Sequence, residues 1–324
     1  MASLKEIKNR ITSVQSTRKI TSAMKMVASS KLHHAQQMIE NMLPYENMLE
    51  TILKSFLAAD VEARGYIVEQ RQVRKVALVV FSSNSSMCGG FNSNIIKQTV
   101  RLVEDYRSQG IDVELYTIGR RGYEKAKKSD YYISGNFNEL SAKPNIADCT
   151  RLGEELAERY AKGEIDKVEL VYHHFKSAGS QILTTKRLYP IAIEKAMDYD
   201  HTRDLKSQFT DANAAEYLEE HGGHKALQGT ASNSHAVAIN DNFIVEPDMQ
   251  TVLNMLIPRY VNLMIYTALL DSNASEHAAR MVAMQTATDN ADELLKDLNL
   301  QYNKGRQQAI TNELLDIVGG SVNN

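Results

Sequence analysis

The stretch that decides the fold is LNMLIPRYVNLMIYTALLDSNASEHAARMVAMQTATDNADELLKDLNLQYNKGRQQA, residues 253–309. Leu253, Leu256, Tyr260, Leu263, Thr267, Leu270, Ala274, His277, Met281, Met284, Thr288, Ala291, Leu295, Leu298, Tyr302, Gly305 and Ala309 follow a strict three–four alternation. That spacing is the seam of a helix lying along another helix. At about 1.5 Å per residue such a helix runs on the order of 100 Å, whereas a compact domain of this size has a radius of gyration of roughly 20 Å. The helix is therefore expected to project from a globule. Pro247 suits its first turn, Pro258 is a potential kink, and Gly319-Gly320 is a stop signal.

A matching seam opens the chain. Ile7, Val14, Thr21, Ala28, Ala35, Met42, Leu49 and Phe56 recur every seven residues, with Leu4 and Ile11 three before the row and Met38, Tyr45 and Ile52 three after it. No glycine occurs before residue 65, and Pro44 is the one proline there. Ser3 with Glu6 reads as a capping box. The middle of both seams is small or polar, at Thr21, Ala28, Ala274, His277, Thr288 and Ala291. This predicts a slim antiparallel coiled coil, either a plain hairpin or a pair meant to be sheathed by other subunits.

Between the ends the pattern changes to α/β. Lys75 to Phe81 and Val113 to Ile118 read as buried strands, and Val168 to Phe175 with Gln181 to Leu188 reads as a hairpin. Helices are expected over Asn94 to Arg107, with Ile95, Ile96, Val100, Val103 and Tyr106 inward, over Arg120 to Lys128 and over Ile146 to Lys162. The fold class is α/β: a small doubly wound sheet with an antiparallel edge, plus the long terminal coiled coil. The organisation reads as a shaft helix over 1–58, an α/β (Rossmann-like) domain over 59–195, a polar irregular insertion over 196–245 and a second shaft helix over 246–324.

Charge and motifs exclude several functions. Lys plus Arg number 37 against 40 Asp plus Glu, a net charge of -3, which argues against general nucleic-acid binding. The first 31 residues are an exception: Lys5, Lys8, Arg10, Arg18, Lys19, Lys25 and Lys31 face only Glu6. Such an arm is either a solvated face or the match for an acidic partner. Cys88 and Cys149 are the 2 cysteines, too few for a disulfide scaffold and matching no metal spacing. No signal segment is read at the start. The apolar window from Leu253 to Leu270 is broken by Asn254, Pro258, Arg259 and Asn262, so no membrane span is expected. Cys88-Gly89-Gly90 has neither the dinucleotide-binding glycine triplet nor a P-loop lysine and reads as a tight strand-to-helix turn. His221 and His224 flank Gly222-Gly223 in the insertion and do not make a metal site alone. No catalytic constellation, cofactor site or metal site is expected.

The stretch Ser3 to Leu32, SLKEIKNRITSVQSTRKITSAMKMVASSKL, resembles the N-terminal helix of F-type ATP synthase gamma subunits. Asn273 to Gly320 resembles their C-terminal helix, and Cys88-Gly89-Gly90-Phe91-Asn92 after a strand resembles their middle domain. Two departures stand out. Asn84-Ser85-Ser86-Met87 replaces the family's Asp-Arg-Gly-Leu, and the polar stretch from about Met197 to Asn242 is longer than expected. The resemblance implies a central rotor shaft, not itself an enzyme and with no cofactor. Ion flow through the membrane rotor ring would turn it and cycle the catalytic subunits. The implied partners are the alpha and beta subunits, the epsilon subunit and the rotor ring of c subunits, with no nucleic acid. The implied location is the cytoplasmic face of a bacterial plasma membrane, reached only through those partners. Residue by residue it implies partner contacts at Met24 and Lys25, near an acidic collar on the catalytic subunit. It implies others at Arg306 and Gln307, bonded to a catalytic-subunit loop, with Thr311 and Glu313 nearby. An ATP- or NAD-binding enzyme and a coiled-coil scaffold or nucleic-acid binder are the rival classes; ligand titration and salt-dependent DNA affinity would reveal them.

Overall fold

The KVALVVF strand is apolar on both faces, and a strand of that kind needs cover on both sides. In the computed structural model, which describes residues 4–59, 71–191 and 245–321, it is the centre of a five-stranded sheet. The elements are α1 (Leu4–Ala59), β1 (Lys75–Phe81), α2 (Phe91–Ser108), β2 (Asp112–Ile118), α3 (Arg120–Lys128), β3 (Ile133–Asn136), α4 (Asn138–Ala142), α5 (Ile146–Ala161), β4 (Lys167–Ser177), β5 (Ser180–Tyr189) and α6 (Met249–Ser321). Strand order is β3-β2-β1-β4-β5. The first four strands are parallel, and β5 pairs antiparallel with β4.

The chain divides into two units, residues 30–279 and residues 1–29 with 280–324. The first is a three-layer stack. Alternation along β1 sends Val76, Leu78 and Val80 to one face, where Ile95 and Val103 of α2 and Ala126 of α3 cover them. Ala77, Val79 and Phe81 go to the other face, against Leu152 and Leu156 of α5, Leu49 and Leu53 of α1, and Leu253 to Leu269 of α6. Thr99, not Val100, is the buried middle residue of α2, where its hydroxyl bonds the Ile95 carbonyl at 2.8 Å. α5 and α6 approach so closely that a Cβ on Gly153 would lie 1.9 Å from Asn262 Oδ1.

Helix α6 is long and apolar enough to cross a membrane by length and composition, yet 56% of its most apolar window is buried in the protein. Asn254, Pro258 and Arg259 are the exposed residues that interrupt it. Its start differs from expectation: Asp248 is the cap, accepting from the Thr251 amide at 2.8 Å and hydroxyl at 2.7 Å, so Pro247 precedes the helix. At the other end the helix runs through Gly319-Gly320 to Ser321. Two glycines at about 1 kcal/mol each are a modest cost in so long an element. Ser3 and the stretch 196–245, including His221 and His224 but not Val245, lie outside the described residues.

The second unit is the pair of helix ends, antiparallel and in constant register. Thr21 and Thr288 share a hydroxyl hydrogen bond of 2.9 Å, Arg18 pairs with Asp292 at 2.5 Å, and Leu4 lies over Gly305, within 3.2 Å of where a Cβ would be. The residue numbers in each pair add to 309 or 310.

Candidate functional site

The register determines what the outer part of α6 can touch. With Leu4 over Gly305, the residues from Ile310 onward have no α1 residue opposite among the described residues. A helix bare on all sides should be polar throughout. This one is not: Ile310 is 46% exposed, Leu314 58% and Leu315 63%. Leu300, 69% exposed, shares a seven-residue spacing with Gln307 and Leu314. Arg306 and Gln307 are exposed among these apolar groups, and Thr311 and Glu313 follow on the same bare segment. The Thr311 hydroxyl donates to the Gln307 carbonyl at 2.9 Å.

Met24 and Lys25 form a separate region. They are half-buried on α1, opposite about Gln285 in this register, which is 21 residues before Arg306. At about 1.5 Å per residue that is roughly 30 Å along the helix. Exposed Ile20, Met26 and Val27 surround them, at 60%, 62% and 57%. Of the basic arm, Lys5, Lys8, Arg10, Lys19 and Lys31 are exposed, while Arg18 is matched within the chain by Asp292. The exposed apolar residues were not singled out from the sequence. Their signal was present, since Ile20 and Val27 sit seven apart immediately beside seam residues.

The turn after β1 binds its own side chains. Asn92 Oδ1 accepts from the Ser83 amide at 3.1 Å, and Asn92 Nδ2 donates to the Ser83 hydroxyl at 2.7 Å. The amides of Phe91 and Asn94 donate to the carbonyls of Cys88 and Gly90. Side-chain and backbone bonds thus tie the turn to the start of α2, and Gly89 takes φ 55° within it, the geometry of a tight strand-to-helix turn. Among the described residues no cluster of three metal-ligating side chains occurs.

Comparison with known proteins resolves which family carries this geometry. The ATP synthase family model matches residues 3–322. An ATP synthase gamma chain from Phocaeicola vulgatus is 48% identical over 99% of this chain and 100% of its own length. The chain belongs to the ATP synthase gamma chain family. Family members from Bacteroides thetaiotaomicron and Flavobacterium johnsoniae are 47% and 39% identical, each over 99% of this chain. The fold agrees with a chain of the central stalk and c-ring of the Tetrahymena thermophila mitochondrial ATP synthase. That match has a TM-score of 0.55 at 24% identity and covers 83% of this chain and 99% of the other. A chain of the Euglena gracilis ATP synthase rotor matches with a TM-score of 0.55 at 17% identity, covering 95% and 98%. The reading of the sequence as the shaft of a rotary ATP synthase agrees with these findings. The end-to-end matches to the bacterial gamma chains also mean that the long polar stretch is within the length these relatives share.

Proposed function

We propose that this gamma chain transmits torque and is itself non-catalytic. Its paired helix ends contact the alpha and beta subunits, and its sheet unit contacts the epsilon subunit and the membrane rotor ring. It is peripheral, held at the cytoplasmic face of a bacterial plasma membrane by those partners, and ATP is bound by the partners.

The observation that carries this reading is the apolar, α1-free segment of α6 from Ile310 to Leu315. Burying each large apolar side chain is worth about 1.5–3 kcal/mol, and long helices draw most of their stability from packing. A sheath of partner subunits supplies that burial. Arg306 then offers a planar fork to a partner carboxylate, and Gln307 offers both a donor and an acceptor. Met24 offers a neutral, polarisable surface over which an acidic collar slides, with Lys25 beside it as the basic match. The turn after β1 has neither the glycine triplet nor the P-loop lysine of a nucleotide site, which supports placing the nucleotide elsewhere.

The test is purification through a tag on this chain. Alpha and beta subunits are expected to accompany it, the complex to hydrolyse ATP, and the chain stripped of them to have no turnover. Turnover that survives their complete removal, or a chain that never captures them, would refute the proposal.

A further inference from the structure

Helix α6 belongs to the sheet unit as far as Ala279. In the last turns before that point it is held by polar bonds in addition to apolar packing. Asp271 and His174 of β4, both buried, meet at 2.7 Å between Oδ2 and Nδ1. One turn on, the fully buried Ser275 donates its hydroxyl to the His173 carbonyl at 3.2 Å. Asn273 points the other way, since two residues turn a helix by about 200°. Its amide donates to the Ser141 carbonyl at 3.0 Å, and the Ser141 hydroxyl donates to the Ser82 carbonyl just past β1, also at 3.0 Å. A single stretch of α6 is therefore bonded to β4 on one side and, through Ser141, to the end of β1 on the other.

From Leu253 to Leu269, α6 contributes a continuous row of apolar residues to the core on this face of the sheet. Apolar burial is non-directional. It opposes separation strongly but rotation about the helix axis less, because one apolar neighbour can replace another. Hydrogen bonds weaken steeply with angle, and breaking a buried one leaves unsatisfied groups at a cost of about 1–3 kcal/mol. The geometry points to a torsion clamp. His174, Asp271, Ser275 and Asn273 fix the angle and depth of α6 in the sheet unit, so that twist applied to one is delivered to the other. These are positioning residues, and their role rests on the proposed shaft function.

The experiment uses the assembled complex carrying Ser275→Ala with Asn273→Ala, the same pair with Asp271→Asn added, and Ser275→Thr, which keeps the donor. Subunit content, ATP hydrolysis, ATP-driven ion pumping and the angular fluctuation of a probe on the sheet unit are measured, the last with the catalytic ring immobilised and stalled. Hydrolysis should stay near the unsubstituted rate while pumping falls. Angular variance should rise in the double variant, because two of the polar bonds named above are lost. It should rise further in the triple variant and stay unchanged in Ser275→Thr. Unchanged variance in an assembled triple variant overturns the clamp, and so does lowered thermal stability with unchanged variance. Should the triple variant not assemble, Ser275→Ala against Ser275→Thr decides by the same variance. An unsubstituted complex in which the sheet unit does not rotate refutes the shaft reading, and the clamp with it.

Discussion

Arg306 follows Gly305, the seam residue over which Leu4 packs, and its own side chain is exposed to an approaching partner. Lysine keeps the charge of arginine but not its planar five-donor fork. Charge-assisted hydrogen bonds are worth about 1.5–3 kcal/mol, so Arg306→Lys, Arg306→Ala and Gln307→Ala should each slow steady-state ATP hydrolysis by roughly tenfold or more. Subunit content should stay normal, and unsubstituted rates in all three would remove the pair from the contact. Met24→Lys adds an ammonium in a half-buried position. Against an acidic collar it should form an ion pair stronger than the ~0–1 kcal/mol of an exposed one, lowering ions pumped per ATP hydrolysed while assembly persists. His173 makes a different prediction. It is 3% exposed and stacked on Phe91 at 4.5 Å, and burial lowers its pKa to about 4. The unfolded chain binds that proton below about 6.5 and the folded chain does not. Stability should therefore be fully present above about pH 6.5 and decline as pH falls toward about 4, on the order of 3 kcal/mol in all. His173→Phe should flatten that part of a denaturation-against-pH profile. The proposed contact residues are legible only through motif resemblance, since an exposed arginine or methionine has no periodicity of its own. The apolar groups around them become informative only once the register shows which have no neighbour.

At the element scale, the N-terminal edge of the sheet is tied by charge. Glu114 of β2 is fully buried and takes Arg159 of α5 at 2.5 and 3.1 Å and Lys75 of β1 at 3.1 Å. The Tyr116 hydroxyl, which also accepts from Arg159, is held above its ordinary pKa by burial. Arg159→Met should cost toward the low end of ~3–5 kcal/mol, because Lys75 still faces the stranded carboxylate. Adding Glu114→Gln should recover part of the loss in the same denaturant titration. The elements that were legible in the sequence are those whose period is long or whose apolar run is unbroken. β1 and α3 have the expected bounds, and every residue of the α6 seam from Leu253 to Ala309 is buried or half-buried. β3 and α4 were not legible. β3 is only 4 residues long and contains Gly135, where a Cβ would come within 2.6 Å of the Tyr116 ring, so close packing removed the side chain that would have signalled a strand. Gly319-Gly320 failed as a stop for the opposite reason: propensity is a weak local term against an established helix.

For the whole molecule, the sheet unit has its own core while the paired ends bury little beyond their seam. Opening free energies should differ accordingly. In the isolated chain, amides of β1 and β4 should exchange slowly, and those from Met281 to Leu315 should exchange fast. Assembly with partner subunits should slow the latter by roughly a hundredfold or more, the equivalent of ~3 kcal/mol of added burial. Full protection of 281–315 in a monomeric isolated chain would show that the ends need no sheath.

The fixed sum of pairing numbers has a consequence for how such a chain can change length. A single residue inserted in α1 between Leu4 and Thr21 would turn everything before it by about 100° and advance it by about 1.5 Å, moving its apolar row off the partner stripe. The same holds for α6 between Thr288 and Gly305. Length can therefore be added or removed here without a change of phase in whole seven-residue blocks, when both helices of the pair change together at matched levels. Paired seven-residue deletions should assemble a shorter lever of unchanged phase, whereas a lone deletion of one to three residues in either helix should abolish pairing. The two stretches are thus constrained as one unit of length, although some 270 residues of chain separate them.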